Sequence, residues 1–302
     1  MRPLPILATI IATLAVSTAA PFILLCGVEA FAIAAWRLGA VALVVLPIAL
    51  RGLLRDLPAL SRRDVSLLLL SGLLYGVHFC LFTLAFWHTS KESAVMLLGA
   101  QPLLAALAGL LFLGERVTRS MAVASVVSIA GLGLFVGSDY RFDPGHLGGD
   151  IMVLASGVAI VLSYTIGRRL RPKMSLTSYL ATQYVVGGLT CLAAAIVAGQ
   201  ELLGYGFSGW YYLGWAIVVP TLLGHSLFHY AVKYVPVFYV NLAVLGEPIL
   251  AIVIMIALAG RFEVFRESAL RPMQLAGGLV LLAGVAYGLV SVRKRQFVEV
   301  PS

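Results

Sequence analysis

The chain has 302 residues, of which 61% are hydrophobic and 11% are charged. Soluble domains are usually about 45–50% apolar and about 25% charged, so this composition excludes an ordinary soluble protein. The formal net charge is +8, but the basic residues are spread between apolar stretches, which argues against a nucleic-acid-binding patch.

Ten apolar stretches follow one another, each near the roughly 20 residues that cross a bilayer, and the gaps between them are too short for a soluble domain. We therefore predict an all-α membrane protein with ten transmembrane helices. The start of the chain is similar to a secretory signal, but its apolar run continues to Leu25, so we interpret it as a retained span. The expected spans are Leu4–Leu25, Ala30–Leu50, Val65–Trp87, Ser93–Leu113, Met121–Gly137, Ile151–Ile166, Ser178–Gly199, Gly209–Ala231, Val237–Ala259 and Met273–Val292.

Basic residues are distributed unequally between the two predicted sides of the membrane. With a cytoplasmic N-terminus, the cytoplasmic segments hold 15 Lys and Arg residues and the opposite segments hold 5. This bias follows the positive-inside rule and predicts that both termini are cytoplasmic. Cys26, Cys80 and Cys191 are far apart and show neither disulfide nor zinc spacing, so we predict no metal and no cofactor.

The second half of the chain repeats the first. At an offset of 146 residues, Pro248 aligns with Pro102 and Phe228 with Phe82. A copy with an odd number of spans must be inverted relative to the other. We therefore predict two inverted five-helix repeats, at residues 1–140 and 141–302, an arrangement typical of secondary transporters.

Several motifs occur in register with this repeat: Pro-centred fourth and ninth spans, the segment LFLGER at Leu111–Arg116, and Gly-rich fifth and tenth spans. With these motifs the chain resembles the EamA-type branch of the drug/metabolite transporter superfamily. The resemblance implies a multi-pass protein of the bacterial inner membrane that exports small metabolites and has no enzymatic activity. One departure is visible, because Glu115 follows Gly114 whereas Arg261 follows Gly260.

The two matched prolines are candidate hinges. Pro102 and Pro248 lack an N–H group and disturb the preceding helical turn, which a membrane tolerates beside a cavity or a neighbouring helix. Their equivalent positions point to a midplane site between the repeats. The alternative is that each proline makes a packing kink with no role in ligand binding.

Charged residues inside spans are rare in this chain. Glu247 is the only carboxylate near the middle of a span, and Arg37 is the matching cation in the second span. Such groups normally face a cavity or each other. We predict that Glu247 carries a proton or binds a substrate ammonium while Arg37 balances its charge; a purely structural buried pair is the alternative.

Rings and polar side chains supply the remaining candidates for substrate binding. The third and eighth spans each carry aromatic and histidine side chains at helical spacing, which could line an amphipathic pocket, although such stripes also serve in packing. Gln101 occupies the place of Glu247 in the first repeat. The full set is Tyr75, His78, Phe79, Phe82, Met96, Gln101, Ser163, Tyr164, His225, Phe228, His229 and Glu247.

These residues predict a secondary transporter that exports amphipathic metabolites, above all amino acids with apolar or aromatic side chains, by alternating access. Its partners are the small-molecule substrate and membrane lipid; proton coupling and facilitated diffusion both stay open. No GxxxxGK[ST] string is present, so ATP is not an expected energy source. The alternatives are broad efflux of drugs or cations and a membrane metalloenzyme that uses His78, His225 and His229.

Overall fold

The structure, a computed structural model, describes residues 4–89, 94, 97–115, 118–137, 144–266 and 272–295. Over these residues it is helical and contains no strand. Seven helices are long and apolar enough to cross a membrane, and three shorter apolar helices accompany them. The prediction of an all-helical membrane protein is therefore confirmed, and the number of ten crossings stays a prediction.

We number the apolar helices in chain order. They are α1 Leu4–Cys26, α2 Ala30–Asp56, α3 Arg62–Ala85, α4 Leu97–Leu113, α5 Arg119–Gly137, α6 Leu147–Leu170, α7 Leu176–Val197, α8 Phe207–Ala231, α9 Val237–Leu258 and α10 Pro272–Arg295.

Local sequence explains where two of these helices begin. The hydroxyl oxygen of Ser61 accepts a hydrogen bond from the backbone N–H of Asp64 at 3.1 Å, before α3. Ser175 accepts from the backbone N–H of Ser178 at 3.2 Å, before α7. Each serine thus satisfies a backbone donor that the first helical turn would otherwise leave unpaired.

Both candidate hinge prolines lie at a change of helical segment. In α4, a 3-10 turn over Leu97–Ala100 precedes the α-helical segment Gln101–Ala108, which has Pro102 in its first turn. In α9, the segment Val237–Val244 ends just before the segment Gly246–Leu258, which has Pro248 in its first turn. A proline in the first turn of a segment removes no helical hydrogen bond, which explains why both interruptions occur here.

Equivalent helices of the two halves pack against each other: α2 on α7, α4 on α9, and α5 on α10. The pair formed by α3 and α6 corresponds in the same way to the pair formed by α1 and α8. Contacts between helices of the two halves therefore occur in equivalent pairs. The helices α3, α6, α8 and α9 each contribute at least two side chains to the candidate site.

The pair α5 and α10 packs through glycines. A Cβ atom at Gly131 would collide with the backbone of Leu281, and one at Gly284 would lie 2.7 Å from the backbone nitrogen of Ser128. Small residues at such positions let two membrane helices approach closely. The close contact of these two helices therefore depends on the missing side chains.

We expect Gly131→Val to separate α5 from α10, because the new side chain has no space beside the Leu281 backbone. The free energy of unfolding should fall by about 1–3 kcal/mol, the usual cost of overpacking, measured as a lower Tm of the purified protein. Gly133→Val is the matched control, since a Cβ at Gly133 meets nothing within 4 Å. An equal loss in both variants would contradict the packing role of Gly131.

Candidate functional site

A cavity lies at the centre of the helices, between α1, α2, α3, α4, α6, α8 and α9. Its volume of about 30 Å³ has room for about two water molecules. Binding sites for small molecules are usually about 300–1,000 Å³, so a metabolite fits only after the helices move. Nine sequence-predicted residues line this cavity: Arg37, His78, Phe79, Phe82, Gln101, Tyr164, His225, Phe228 and Glu247.

The opposite charges of Arg37 and Glu247 face the same cavity although they lie on different helices. Arg37 is 1% exposed and Glu247 is 7% exposed. Arg37 donates from Nε to Oγ1 of Thr221 at 2.9 Å, and its guanidinium carbon lies 4.5 Å from the centroid of the Phe79 ring. The two charges interact through space without a direct ion pair, which leaves the carboxylate available to a ligand.

Histidine and aromatic rings form one wall of the cavity. The centroids of Phe79 and His225 are 4.9 Å apart, and the rings of His78 and Phe82 stack at 5.9 Å. The hydroxyl of Tyr164 lies 3.4 Å from Nδ1 of His225. The two ring-bearing faces expected on the third and eighth spans thus do meet, and they place both phenylalanine and histidine side chains along the cavity.

Some supporting residues have no clear signal in the sequence. Ser156 holds His78 in place, because its hydroxyl lies 2.8 Å from Nδ1 of that ring. Thr221 orients Arg37, and its own hydroxyl donates to the backbone oxygen of Ala216 at 2.8 Å. The remaining lining is apolar and indistinguishable in sequence from lipid-facing residues: Val16, Ala19, Leu98, Ile160 and Val244.

Other predicted residues lie away from the cavity lining. Tyr75 is fully buried behind it, in contact with the rings of His225 and His229. His229 lies one helical turn beyond His225, and the hydroxyl of Ser163 donates to the backbone oxygen of Ser71 at 3.0 Å. Pro102 and Pro248 are buried but do not line the cavity. Met96 falls outside the described residues.

On one side of the cavity, polar contacts join the ends of α2 and α6 to the starts of α3 and α7. We call this side the Lys173 face and define it by Asp56, Asp64, Arg171, Lys173 and Ser175. Nζ of Lys173 donates to both carboxylate oxygens of Asp64, at 2.7 and 2.8 Å. The backbone N–H of Ser175 donates to Asp56 at 2.8 Å. These contacts hold the ends of four helices together at this side.

A second contact of the same side joins α4 to α6. Nε of Arg168 lies 3.6 Å from a carboxylate oxygen of Glu115, and Arg168 also donates to the backbone oxygen of Lys233 at 2.9 Å. Burial raises the pKa of the Glu115 carboxyl group, and the charge of Arg168 opposes that rise. The acid of the LFLGER segment thus has a partner here, whereas Arg261 holds the equivalent position in the second repeat.

At the opposite side, hydrogen bonds join the start of α2 to the segment that follows α7. The side-chain oxygen of Gln200 accepts from the backbone N–H groups of Phe31 and Ala32, at 2.8 and 3.1 Å. The indole N–H of Trp36 donates to the backbone oxygen of Leu202 at 2.7 Å.

The sequence matches the EamA-like transporter family twice, over residues 3–137 and 147–290. The chain belongs to this family of transporters. The resemblance inferred from the motifs is thereby confirmed, and the transporter is a multi-pass membrane protein with two related halves.

A solved crystal structure shares the fold of this transporter, with a TM-score of 0.76 and 18% sequence identity. The match covers 97% of this chain and 99% of the other. No curated protein matches the chain. Among the described residues of the transporter, no three His, Cys, Asp or Glu side chains gather in a way that could hold a metal ion.

Proposed function

We propose that this transporter is a secondary exporter of small amphipathic metabolites, above all amino acids with apolar or aromatic side chains. The observation that carries the proposal is a buried cavity lined by one acid, one base and a wall of rings. Glu247 would bind the ammonium group, and Arg37 would bind the carboxylate. Phe79, Phe82 and Phe228 would contact the side chain.

The small cavity supports a mechanism of alternating access. A solute larger than about two water molecules can enter only if one side of the cavity opens, and both sides are held by hydrogen bonds that span different helices. The segment boundaries at Pro102 and Pro248 provide places where α4 and α9 could bend. We infer that ten spans form two inverted repeats around this cavity, since equivalent helices exchange contacts across it.

The distribution of basic residues supports a cytoplasmic position for both termini and for the Lys173 face. Together with family membership, it supports the inner membrane of a bacterium as the location. Proton coupling would use Glu247, the one acid among the described residues that line the cavity. Facilitated diffusion would leave the same residue as a binding group only.

The test is uptake of radiolabelled L-phenylalanine into proteoliposomes that contain the full-length protein. We expect saturable uptake above that of empty liposomes, and an accelerated rate with a pH gradient if Glu247 carries a proton. Saturating ligand should also raise the Tm of the purified protein by about 3 °C or more, because it binds only the folded state.

Export of lipophilic cations is the alternative, and the acid beside aromatic rings favours it through charge and cation–π attraction. Phenethylamine has the ring and ammonium of phenylalanine but no carboxylate. A larger Tm shift with phenethylamine than with L-phenylalanine would favour the cation exporter, because the carboxylate that Arg37 is proposed to bind would then contribute no affinity. The reverse order would favour the amino-acid exporter.

A further inference from the structure

A second polar cluster lies between the cavity and the Lys173 face. His229 and Gln183 are both 0% exposed, and neither ring nitrogen of His229 has a hydrogen-bond partner among the residues that the structure describes. The side-chain nitrogen of Gln183 also has none. Buried polar groups are normally paired, so each of these atoms calls for an explanation.

The two side chains belong to one cluster. The rings of His229 and Tyr179 lie 5.3 Å apart between centroids. The hydroxyls of Tyr179 and Ser71 are 3.0 Å apart, and Ser71 donates to the side-chain oxygen of Gln183 at 3.1 Å. The oxygen of Gln183 is thus occupied, and its N–H groups are left free to donate.

The position of the cluster connects it to both the cavity and the Lys173 face. The ring of Tyr164 lines the cavity and lies 5.2 Å from the ring of His229. On the other side, Arg171 donates from Nε to the backbone oxygen of His229 at 3.3 Å. A solute that moves between the cavity and the Lys173 face would therefore pass this cluster.

The chemistry of the cluster favours an anionic oxygen ligand. A neutral imidazole has one N–H donor and the amide of Gln183 has two, and the cluster of Ser71, Ser163, Tyr179, Gln183 and His229 contains no carboxylate. Arg171 is a charged side chain in contact with the backbone of His229, and a nearby cation attracts an anion. A carboxylate would accept hydrogen bonds from the free donors.

We propose that His229 and Gln183 bind the carboxylate of the transported solute as it passes between the Lys173 face and Arg37. This inference rests on the proposed function and extends it, because it gives the solute a second binding position. The N–H groups of His229 and Gln183 would then find their hydrogen-bond partner in the bound carboxylate, in a conformation in which the Lys173 face is open.

Chemical modification of histidine tests the proposal without knowledge of the natural substrate. Diethyl pyrocarbonate modifies accessible imidazoles, and peptide mass spectrometry reports each histidine of the full-length protein separately. Lys173→Met removes the contact to Asp64 and should open that face more often. Since such an ion pair is worth at most about 1 kcal/mol, we expect His229 to react up to about fivefold faster. His88, which is exposed, should react at an unchanged rate.

Two probes then report the ligand preference. In Lys173→Met, phenylacetate should slow the modification of His229 at least about fivefold, whereas phenethylamine should change it less than about twofold. His225 reports occupancy of the cavity in the same sample. When Gln183→Met is added to Lys173→Met, phenylacetate should no longer protect His229 from modification, whereas it should still protect His225.

Thr165→Val is the matched control, because the hydroxyl of Thr165 is buried and donates only to its own helix, at the backbone oxygen of Val161. This variant should keep the protection of His229. The proposal is overturned if His229 does not react in Lys173→Met, if both probes protect it equally, or if Gln183→Met keeps its protection. Failure of the exporter function would instead appear as absent uptake in proteoliposomes, whatever the modification pattern.

Discussion

Glu247→Gln should lower the rate of L-phenylalanine uptake at least about tenfold, which corresponds to about 1.4 kcal/mol of lost stabilisation. The substitution keeps the size of the side chain and removes the negative charge that faces the cavity. The ammonium group of the solute then meets Arg37 without a compensating acid. If proton coupling operates, the effect of a pH gradient on uptake should disappear as well.

The control is Glu263→Gln, which removes an acid whose side chain is 86% exposed and pairs with Arg266 at 3.3 Å. Its uptake should equal that of the unmodified protein. A further variant combines Gln101→Glu with Glu247→Gln and moves the charge to the equivalent position of the first repeat. Partial recovery is expected there, since both positions line the cavity. Normal uptake and pH response in Glu247→Gln alone would remove this residue from the mechanism.

Arg37→Met should lower both uptake and stability. It leaves the buried Glu247 carboxylate without the opposite charge that lines the same cavity, and it removes the donor to Thr221. We expect uptake to fall at least about tenfold. The free energy of unfolding should fall by about 1–3 kcal/mol, read as a lower Tm.

A double-mutant cycle separates the two effects. Adding Glu247→Gln to Arg37→Met removes the uncompensated charge, so the Tm should recover by most of what was lost. Uptake should stay low, because the site then offers neither charge to an amino acid. The exposed pair Arg266→Met and Glu263→Gln provides the reference cycle, for which we expect coupling below about 1 kcal/mol. Recovery of uptake in the double variant would assign both charges to structure alone.

Much of the candidate site can be predicted from sequence, because the neighbouring residues along the chain show how far inside an apolar span a residue lies. The placement of Glu247 and Arg37 inside apolar runs predicted that they face a cavity or each other, and both line the cavity. The spacing of His78, Phe79 and Phe82 placed their side chains on one helical face, and that face meets the cavity.

The same reasoning could not separate His225 from His229. These residues share a face at i and i+4, but only His225 lines the cavity. Helical periodicity gives the direction of a side chain and says nothing about how far along the helix a cavity extends. That limit is set by the packing of Tyr75, Tyr164 and Tyr179 around the ring of His229.

The sequence by itself determined that this protein is a helical membrane transporter with two related halves. It could do so because span length, charge bias and repeated motifs are properties of contiguous residues. Only the tertiary structure decided that the cavity is about 30 Å³ in volume, that Thr221 orients Arg37, and that Lys173 pairs with Asp64. Those features depend on contacts between residues that are far apart in the chain. Such contacts form only when the helices pack in one particular arrangement.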